Sequence, residues 1–358
     1  MENPPSYNGS GLVNLVSELE LKMTGSSVFP SLSDAAAIPN ASTYVLVLFD
    51  GLGVAQLDHA DARLFRSTMS ASLDAPFPTM TNVSLATVAT SLPPSRHGQV
   101  AHLAWYPDLE KVVNTLKWVT LGGDPVVYDY AALLPRPNLW ERLRASCVEP
   151  ITVQPGDFQT SPLTREMYRG ARFEGAWDAA DLAEATVALA SEPGRLIFTY
   201  VPFVDFAGHV FGQGSEEFTE AMKLAAAVWE GIVSGLPPGA VAVGTADHGL
   251  VEVSEKDKFL IRDPRFDSLR FAGDPRGVQV WGDPVLIDDL VTFTGGELVD
   301  PAPLLGPGLS DDARSRLGEK VVLALPGTTI IPRGFDKRLR CYHGGLSDEE
   351  VKIPLLLG

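Results

Sequence analysis

Two pairs of aspartate and histidine suggest metal chemistry, because both residue types bind metal ions. Asp247 and His248 are adjacent in TADHGL, and Asp205 and His209 lie four residues apart in YVPFVDFAGH. On a helical turn, a four-residue spacing places both side chains of the second pair on the same face. Carboxylate and imidazole groups are ligands for zinc, and also for manganese or iron. The two pairs therefore predict a metal site.

Two further residues enlarge this set of candidate ligands. Asp50 follows an apolar run that ends in Phe49, and His343 lies in CYHGG. Three aspartates and three histidines are more than one tetrahedral ion needs. Two ions roughly 3.5–4 Å apart would use them all, and such a pair clamps the attacking and leaving oxygens during phosphoryl transfer. The set therefore favours two metal ions acting on a phosphate ester.

A candidate nucleophile lies in the stretch FPTMTNVSLATVATSLPP. A helix is predicted from Asn82 to Leu92, ended by two prolines, and Thr79 and Thr81 stand at its start. Free N–H groups and the helix dipole favour anions at this position. A threonine hydroxyl bound to a metal there could ionise and attack phosphorus. The residues alone leave both threonines as candidates.

The elements that must position these side chains form an α/β pattern. Three continuous apolar runs are typical of buried parallel strands, at Thr43–Phe49, Arg195–Val201 and Ala240–Ala246. Each run is followed by one of the polar clusters. Because ligands bind outside the carboxyl ends of parallel strands, these clusters are expected to meet at one sheet edge. Helices are predicted at Asn138–Ser146, Ala179–Ala190 and Glu216–Ser234.

The domain organisation predicted for all 358 residues is one catalytic domain, 1–358, with a small cap insertion. Length alone also allows two domains. The segment from about Glu252 to Leu325 differs from its surroundings because it is rich in Asp, Gly and Pro. It is therefore predicted to be the cap rather than an independent domain.

Charge and composition limit the partners. The net charge of −17 argues against a nucleic-acid-binding face, although bound cations would still allow small phosphates to bind. Two cysteines do not make a disulfide scaffold. The N-terminal residues lack the pattern of a secretory signal, and no apolar run is long enough to span a bilayer. We therefore expect a cytoplasmic protein that does not contact membranes; the sequence indicates no oligomeric state.

The ordered motifs resemble those of the alkaline phosphatase superfamily, and most closely its type I phosphodiesterase/nucleotide pyrophosphatase branch. That branch has an aspartate after the first strand, a Pro-Thr-x-Thr nucleophile helix ending in a His-Gly turn, Asp-x-x-Gly-His, Asp-His-Gly and a late His-Gly. The matching residues here are Asp50-Gly51, Pro78 to Thr81 with His97-Gly98, Asp205 to His209, Asp247 to Gly249, and His343-Gly344. Five motifs in the family order make a specific match, from about residue 43 to the end.

The resemblance implies an α/β/α sandwich with a central, mostly parallel sheet. It implies one zinc ion bound by Asp205, His209 and His343. It implies a second bound by Asp50, Thr81, Asp247 and His248. The family register places the nucleophile on Thr81 rather than Thr79, with a phospho- or nucleotidyl-threonine intermediate.

Two positions depart from the family pattern. Nucleotide pyrophosphatases have an aromatic residue after the nucleophile, where it stacks a base, and here that residue is Asn82. The family asparagine that supports a phosphoryl oxygen has its register near His102. The imidazole of His102 or the amide N–H of Asn82 is expected to replace it, so the substrate need not be a nucleotide.

Three functions follow from these residues. The first is a phosphodiesterase or nucleotide pyrophosphatase acting on a small phosphate ester. The second is a phosphomonoesterase or phosphonate hydrolase on the same core. Near Thr81 the sequence offers no cation for a dianion except Arg96, which favours the diester. The third is a metal-bound binding protein that has lost catalysis, and the intact ligand set with Thr81 argues against it.

Overall fold

The computed structural model describes residues 4–33 and 38–358, and its largest core surrounds a seven-stranded sheet. The central strands β1 (Thr43–Phe49) and β8 (Arg195–Val201) consist mostly of apolar residues, and all their residues are buried except the half-buried Arg195. In spatial order the strands are β2 (Met69–Asp74), β18 (Lys352–Leu357), β9 (Ala240–Ala246), β1 (Thr43–Phe49), β8 (Arg195–Val201), β6 (Glu149–Pro155) and β7 (Arg172–Ala176). The five strands from β9 to β7 are parallel, whereas β18 is antiparallel to both of its neighbours. The predicted mostly parallel sheet is therefore confirmed.

Helices pack in two groups against this sheet. One group contains α1 (Leu12–Thr24), α3 (Thr81–Thr90), α4 (Pro94–His97), α5 (Leu139–Ala145) and α6 (Pro162–Met167). The other contains α2 (Arg63–Thr68), α7 (Ala179–Ala190), α8 (Phe203–Phe211) and α9 (Glu216–Gly235). The fold is thus the α/β/α sandwich that the sequence predicts. No described helix combines the length and the apolar character that crossing a membrane requires.

The predicted elements agree closely with these bounds. The three predicted strands begin and end at the predicted residues. The predicted helix 138–146 is one residue shorter at each end, helix 216–234 is one residue longer at its C-terminal end, and helix 179–190 is unchanged. Helix α3 starts one residue earlier than predicted and ends before Ser91, whose φ of +55° is left-handed.

A second seven-stranded sheet is entirely antiparallel, and none of its described strands pairs with a strand of the first sheet. Its strands in spatial order are β14 (Glu297–Val299), β15 (Lys320–Leu323), β13 (Gly277–Trp281), β12 (Arg270–Asp274), β3 (Leu103–Tyr106), β4 (Lys111–Asn114) and β5 (Val119–Thr120). The segment 252–325, predicted to be a cap, supplies four of these strands, and residues 103–120 supply the other three.

The remaining described elements complete this second layer and its connections to the first. Two small sheets pair β10 (Val251–Glu252) with β17 (Cys341–Tyr342) and β11 (Lys258–Leu260) with β16 (Thr329–Ile331). The further helices are α10 (Pro284–Thr294), α11 (Asp311–Arg316) and α12 (Asp348–Val351).

A buried ion pair connects the two layers. Arg276, in the turn between β12 and β13, contacts Glu350 in α12, just before β18, with Nη2 and Oε2 2.7 Å apart. Both side chains are at most 1% exposed. Arg276 also donates to the carbonyls of Leu325 and Thr328, and Glu350 accepts from Ser347. This pair supports our proposal that the two layers form one catalytic domain.

We expect Arg276→Met to lower the free energy of unfolding by about 3–5 kcal/mol, because it leaves the Glu350 carboxylate buried without its cation. The measurement is equilibrium denaturation in urea. As a control, Lys320→Met removes an exposed partner of Asp300, both side chains being over 40% exposed, and should cost about 1 kcal/mol or less. Similar losses in the two variants would contradict the role given to the buried pair.

Candidate metal centre and nucleophile

Three neighbouring strands deliver aspartates to one edge of the parallel sheet. Asp50 follows β1, Asp247 follows β9, and Asp205 lies in the first turn of α8 after β8. The turn after β1 requires glycine, because Gly51 has φ +74° and a Cβ there would lie 2.9 Å from the Cα of Asp205. This close approach lets the amide of Asp205 donate to the carbonyl of Asp50 at 3.0 Å. The three carboxylates are therefore placed by backbone geometry.

The first cluster of candidate ligands contains Asp50, Asp247 and His248. One carboxylate oxygen of Asp247, Oδ1, accepts hydrogen bonds from the amides of Gly51 and His248, each at 3.0 Å. Its other oxygen has no hydrogen-bond partner in the described part of the chain and lies 3.1 Å from Nε2 of His248. The hydroxyl of Tyr200 donates to the Oδ2 oxygen of Asp50. One oxygen of each carboxylate is thus fixed while the other remains available.

The second cluster contains Asp205, His209 and His343. The Nε2 atoms of the two histidines are 3.1 Å apart. Oδ1 of Asp205 lies 3.3 Å from Nε2 of His209 and 3.6 Å from Nε2 of His343. This buried oxygen has no hydrogen-bond partner among residues 4–33 and 38–358. The two clusters adjoin, since the rings of His248 and His343 stack with centroids 3.6 Å apart.

All three histidines are oriented by a backbone carbonyl. The Nδ1 atoms of His209, His343 and His248 lie 2.7, 2.8 and 3.2 Å from the carbonyl oxygens of Cys341, Thr79 and Gly249, respectively. A carbonyl only accepts, so each Nδ1 carries a proton and each Nε2 is the ring nitrogen that faces the clusters. Metal-binding histidines are commonly fixed in this way.

The electrostatics of the clusters fit a bound cation. Burial, and then the charges of Asp247 and Asp205, raise the pKa of Asp50 well above its usual value. Burial, and then His248 and His209, lower the pKa of His343 well below its usual value. Carboxylate oxygens and imidazole Nε2 atoms thus lie crowded together in a buried region. A divalent cation would satisfy both kinds of ligand, so the residues present fit the metal-dependent chemistry of the fold.

The two candidate threonines occupy different environments. Thr81 is the first residue of α3, and its Oγ1 lies 3.2 Å from Nε2 of His248 and 3.5 Å from Oδ1 of Asp50. The hydroxyl of Thr79 instead accepts from the amide of Gly344 at 2.9 Å and donates to the carbonyl of Gly345 at 3.1 Å. Thr79 therefore supports the loop that carries His343, while Thr81 faces the clusters.

Asn82 and His102 line the same cleft as Thr81. The side chain of Asn82 is held by its Nδ2 donating to the carbonyl of Ala101 and to Thr115. Burial lowers the pKa of His102 to about 4, and its Nε2 has no hydrogen-bond partner among the described residues. The amides of Thr81 and Asn82 have no acceptor in that part of the chain either. Polar donors therefore lie on the Thr81 side of the cleft.

Several cleft residues are absent from the sequence-based expectations. Asp274 lies at the end of β12, where burial raises its pKa to about 8, and its Oδ2 is 3.4 Å from the amide of His102. The sequence near Thr81 offers Arg96 as a cation, but Arg96 is exposed on α4 and is not among the residues that line this cleft. The cleft is instead lined by cations from distant segments, namely Lys117, Arg262, Lys337 and Arg338.

A mostly parallel sheet carries two Asp/His clusters and a helix-start threonine at its carboxyl edge, an arrangement that fits metal-dependent phosphoryl transfer. A family model for type I phosphodiesterase/nucleotide pyrophosphatase matches residues 44–267. Because this match covers more than half of the 358 residues, the chain belongs to the type I phosphodiesterase/nucleotide pyrophosphatase family. The protein is therefore a metal-dependent hydrolase of phosphate esters.

Solved structures with the same fold include two groups of hydrolases. Human ectonucleotide pyrophosphatase/phosphodiesterase 5 is 18% identical with a TM-score of 0.62, over 88% of this chain and 87% of that chain. The murine protein is 17% identical with a TM-score of 0.61, over 87% of each chain. Phosphonoacetate hydrolase from Sinorhizobium meliloti 1021, in complex with phosphonoformate, is 18% identical with a TM-score of 0.62, over 87% of this chain and 89% of that chain. At these identities the similarity shows the fold alone, and a search of curated proteins found no match.

We expect the zinc-dialysed protein to hold about two ions per chain, and His209→Ala to hold about one, because only the second cluster loses a ligand. The measurement is elemental analysis after equilibrium dialysis. His59→Ala is the matched control, since the His59 ring packs on Phe218 outside both clusters and its loss should leave the metal content unchanged. A wild-type content near zero, with activity insensitive to chelator, would disprove the metal site.

Proposed function

We propose that the protein hydrolyses a phosphodiester or pyrophosphate bond by double displacement, with Thr81 as the nucleophile. The observation that carries this proposal is the position of the Thr81 hydroxyl, 3.2 Å from Nε2 of His248 and beside the open carboxylate oxygens. A hydroxyl held at this point lies where a helix start also favours an anion. Family membership, with residues 44–267 matched, supports the same chemistry.

The two clusters would hold two divalent ions, for which zinc is the best match to nitrogen and carboxylate ligands. One ion would be held by Asp205, His209 and His343, and the other by Asp50, Thr81, Asp247 and His248. Ions bound in this way supply positive charge to phosphoryl oxygens and make hydroxyl groups more acidic. The carbonyl contacts at Nδ1 of the three histidines keep these ligands oriented.

The proposed steps place the covalent chemistry on Thr81. Its Oγ1 attacks phosphorus, the new Oγ1–P bond forms, and the P–O bond to the leaving group breaks. The proton lost from the hydroxyl passes to solvent, and the leaving oxygen takes one up. Water then attacks the phosphothreonine, the Oγ1–P bond breaks, and Thr81 regains its proton. This sequence matches an activated hydroxyl that forms a covalent intermediate.

Support for the phosphoryl oxygens comes from the start of α3 and from the adjacent wall. The amides of Val83 and Ser84 both donate to the carbonyl of Met80, so the amides of Thr81 and Asn82 remain as donors. Donors already fixed where negative charge develops lower the barrier without reorganisation. His102 is neutral and faces the same cleft, so its ring is a further candidate donor.

A phosphomonoesterase or phosphonate hydrolase is the second candidate function. The observation that favours it is Lys117, a cation that lines the cleft with Thr81 and could meet the extra charge of a dianion. Lys117 is not close to Thr81 in the sequence, so the sequence alone did not indicate it. Its presence in the cleft weakens the earlier argument that a diester is favoured because cations are missing near Thr81. The fold of phosphonoacetate hydrolase is consistent with either substrate class.

Thr81→Ala should lower kcat by about 10⁴-fold or more, because no other group can form the covalent intermediate. Elemental analysis should show that metal binding largely survives, and Thr81→Ser should regain part of the activity. The measurement is steady-state hydrolysis of an aryl phosphate ester with added zinc. If Thr79→Ala abolishes turnover and Thr81→Ala does not, the proposed nucleophile is wrong.

An aryl phosphate diester should be hydrolysed with a higher kcat/KM than the matching monoester, in zinc and in manganese. The physical reason is that the inner cleft offers polar donors to a singly charged phosphoryl group, whereas the cations that line the cleft, Lys117 among them, are exposed. A substrate panel of aryl monoester, aryl diester, dinucleotide and nucleotide sugar provides the comparison. A preference for the monoester would favour the second candidate function.

A further inference from the structure

The cleft that contains Thr81 is much larger than a phosphoryl group requires. Its volume of about 760 Å³ is typical of sites for whole small molecules. Beyond Thr81 it runs between two walls, which we call the 116–121 wall and the 334–339 wall after the residues that form them. Most of the cleft is therefore available to the part of the substrate that is not transferred.

The two walls are close neighbours in space although they are far apart in the sequence. A Cβ built on Gly334, whose φ is +89°, would lie 3.4 Å from Cβ of Leu121. The hydrogen bond from Arg338 holds the pKa of Asp336 at about 2, and the charge of Lys117 contributes to the lowering. Lys117 also contributes to the low pKa of His102, after burial. Its charge thus acts both at the rim and toward the inner cleft.

Several basic side chains line this part of the cleft although the protein as a whole is acidic. The chain carries −17, yet its cleft is lined by Lys117, Lys337, Arg262 and Arg338. Arg338 pairs with Asp336 at 2.6 Å, and within the described ranges no carboxylate lies within 4.0 Å of the other three. Nη1 of Arg262 donates to the carbonyls of Ile261 and Ile331, which fixes its guanidinium at the cleft.

Other acids of the cleft do not neutralise these cations. Asp205 belongs to the second ligand cluster, and Asp274 is buried beside His102, whose amide lies 3.4 Å from its Oδ2. Asp336 is the remaining acid among the lining residues. The outer cleft therefore presents four cations and one carboxylate to a bound molecule.

Among the described residues that line the cleft, no Phe, Tyr or Trp ring is exposed for a base to stack on. Its aromatic residues are Phe335 and Tyr342, which are 6% and 1% exposed. The other apolar lining is aliphatic, and it includes Leu116, Val119 and Leu121. Bases bind by stacking on aromatic rings, so these walls fit an aliphatic group better than a nucleobase.

We propose that the outer cleft binds a second anionic group of the substrate, a carboxylate or a phosphate joined to the scissile phosphoryl group by an aliphatic spacer. Lys117 and Lys337 contact this group from the two walls, with Arg262 and Arg338 adding charge at the rim. The proposal rests on the phosphoryl-transfer function proposed above and specifies its substrate class. It also accounts for the absence of an aromatic residue at Asn82.

Binding to the Thr81→Ala protein, loaded with zinc, tests this proposal without turnover. The probes are alkylphosphonates of equal chain length that end in a methyl, a carboxylate or a second phosphonate, and titration calorimetry gives each Kd. We expect the anion-ended probes to bind about three- to tenfold more tightly than the methyl-ended probe, because exposed ion pairs add modest affinity each. The stronger of the two anionic probes identifies the group, and high salt should reduce the preference.

Charge removal within this protein locates the contact. The preference for an anion is the Kd of the methyl-ended probe divided by the Kd of the anion-ended probe. We expect this ratio to fall about two- to fivefold in Lys117→Met and in Lys337→Met, and further in the double variant. Lys223→Met is the matched control, because Lys223 is an exposed lysine on α9 and is not among the cleft residues. It should leave the ratio unchanged.

The outcomes separate this proposal from the proposed function. Equal Kd values for the three probes, or a preference that survives removal of both lysines, would overturn the second anion site while phosphoryl binding stands. If no phosphonate binds, and the wild type hydrolyses neither diesters nor monoesters, the proposed function itself fails. A preference that falls with each lysine supports the site.

Discussion

Three carboxylates packed at one buried sheet edge repel one another, and the site depends on the backbone contacts that hold them there. The amides of Gly51 and His248 fix Asp247, and the hydroxyl of Tyr200 fixes Asp50. Because β9, β1 and β8 are hydrogen-bonded neighbours, these residues cannot separate without breaking the central sheet. The stability of the fold thus offsets the repulsion among these buried carboxylates. As a result, the polar groups of the site are already in position for a cation and an anionic substrate.

Much of the core could be predicted because its signals are local. The runs that form β1, β8 and β9 are mostly apolar, as is typical of strands covered on both faces, and their bounds could be predicted from the sequence. The Asp/His pairs directly follow these strands, and the parallel arrangement brings them together. The choice between Thr79 and Thr81 came from the family resemblance, and the structure adds a physical distinction, since the Thr79 hydroxyl is engaged with Gly344 and Gly345.

The remaining features of the site depend on pairing between segments that are distant in the sequence, and the pattern of neighbouring residues does not predict such pairing. Tyr200 lies within an apolar run, and only the register of β1 against β8, with Leu48 opposite Tyr200, brings its hydroxyl to Asp50. Asp274 reaches the cleft because β12 pairs with β3, which joins the segment predicted as a cap to residues 103–120. Arg96 is the cation close to Thr81 in the sequence. The cations that line the cleft, Lys117 and Lys337 among them, come instead from segments that tertiary packing brings there.

The strand order also constrains how the molecule can assemble. β2 forms its ladder with β18 alone among the described strands, and Lys352 lies opposite Asp74, so an early segment is connected to the rest of the sheet only through a late one. His343 lies shortly before β18 and is anchored to Thr79, beside the nucleophile helix. Such distant pairings carry a large loop-closure entropy and slow folding. Closure of the sheet and completion of the second ligand cluster therefore depend on the same late segment of the chain, from His343 to β18.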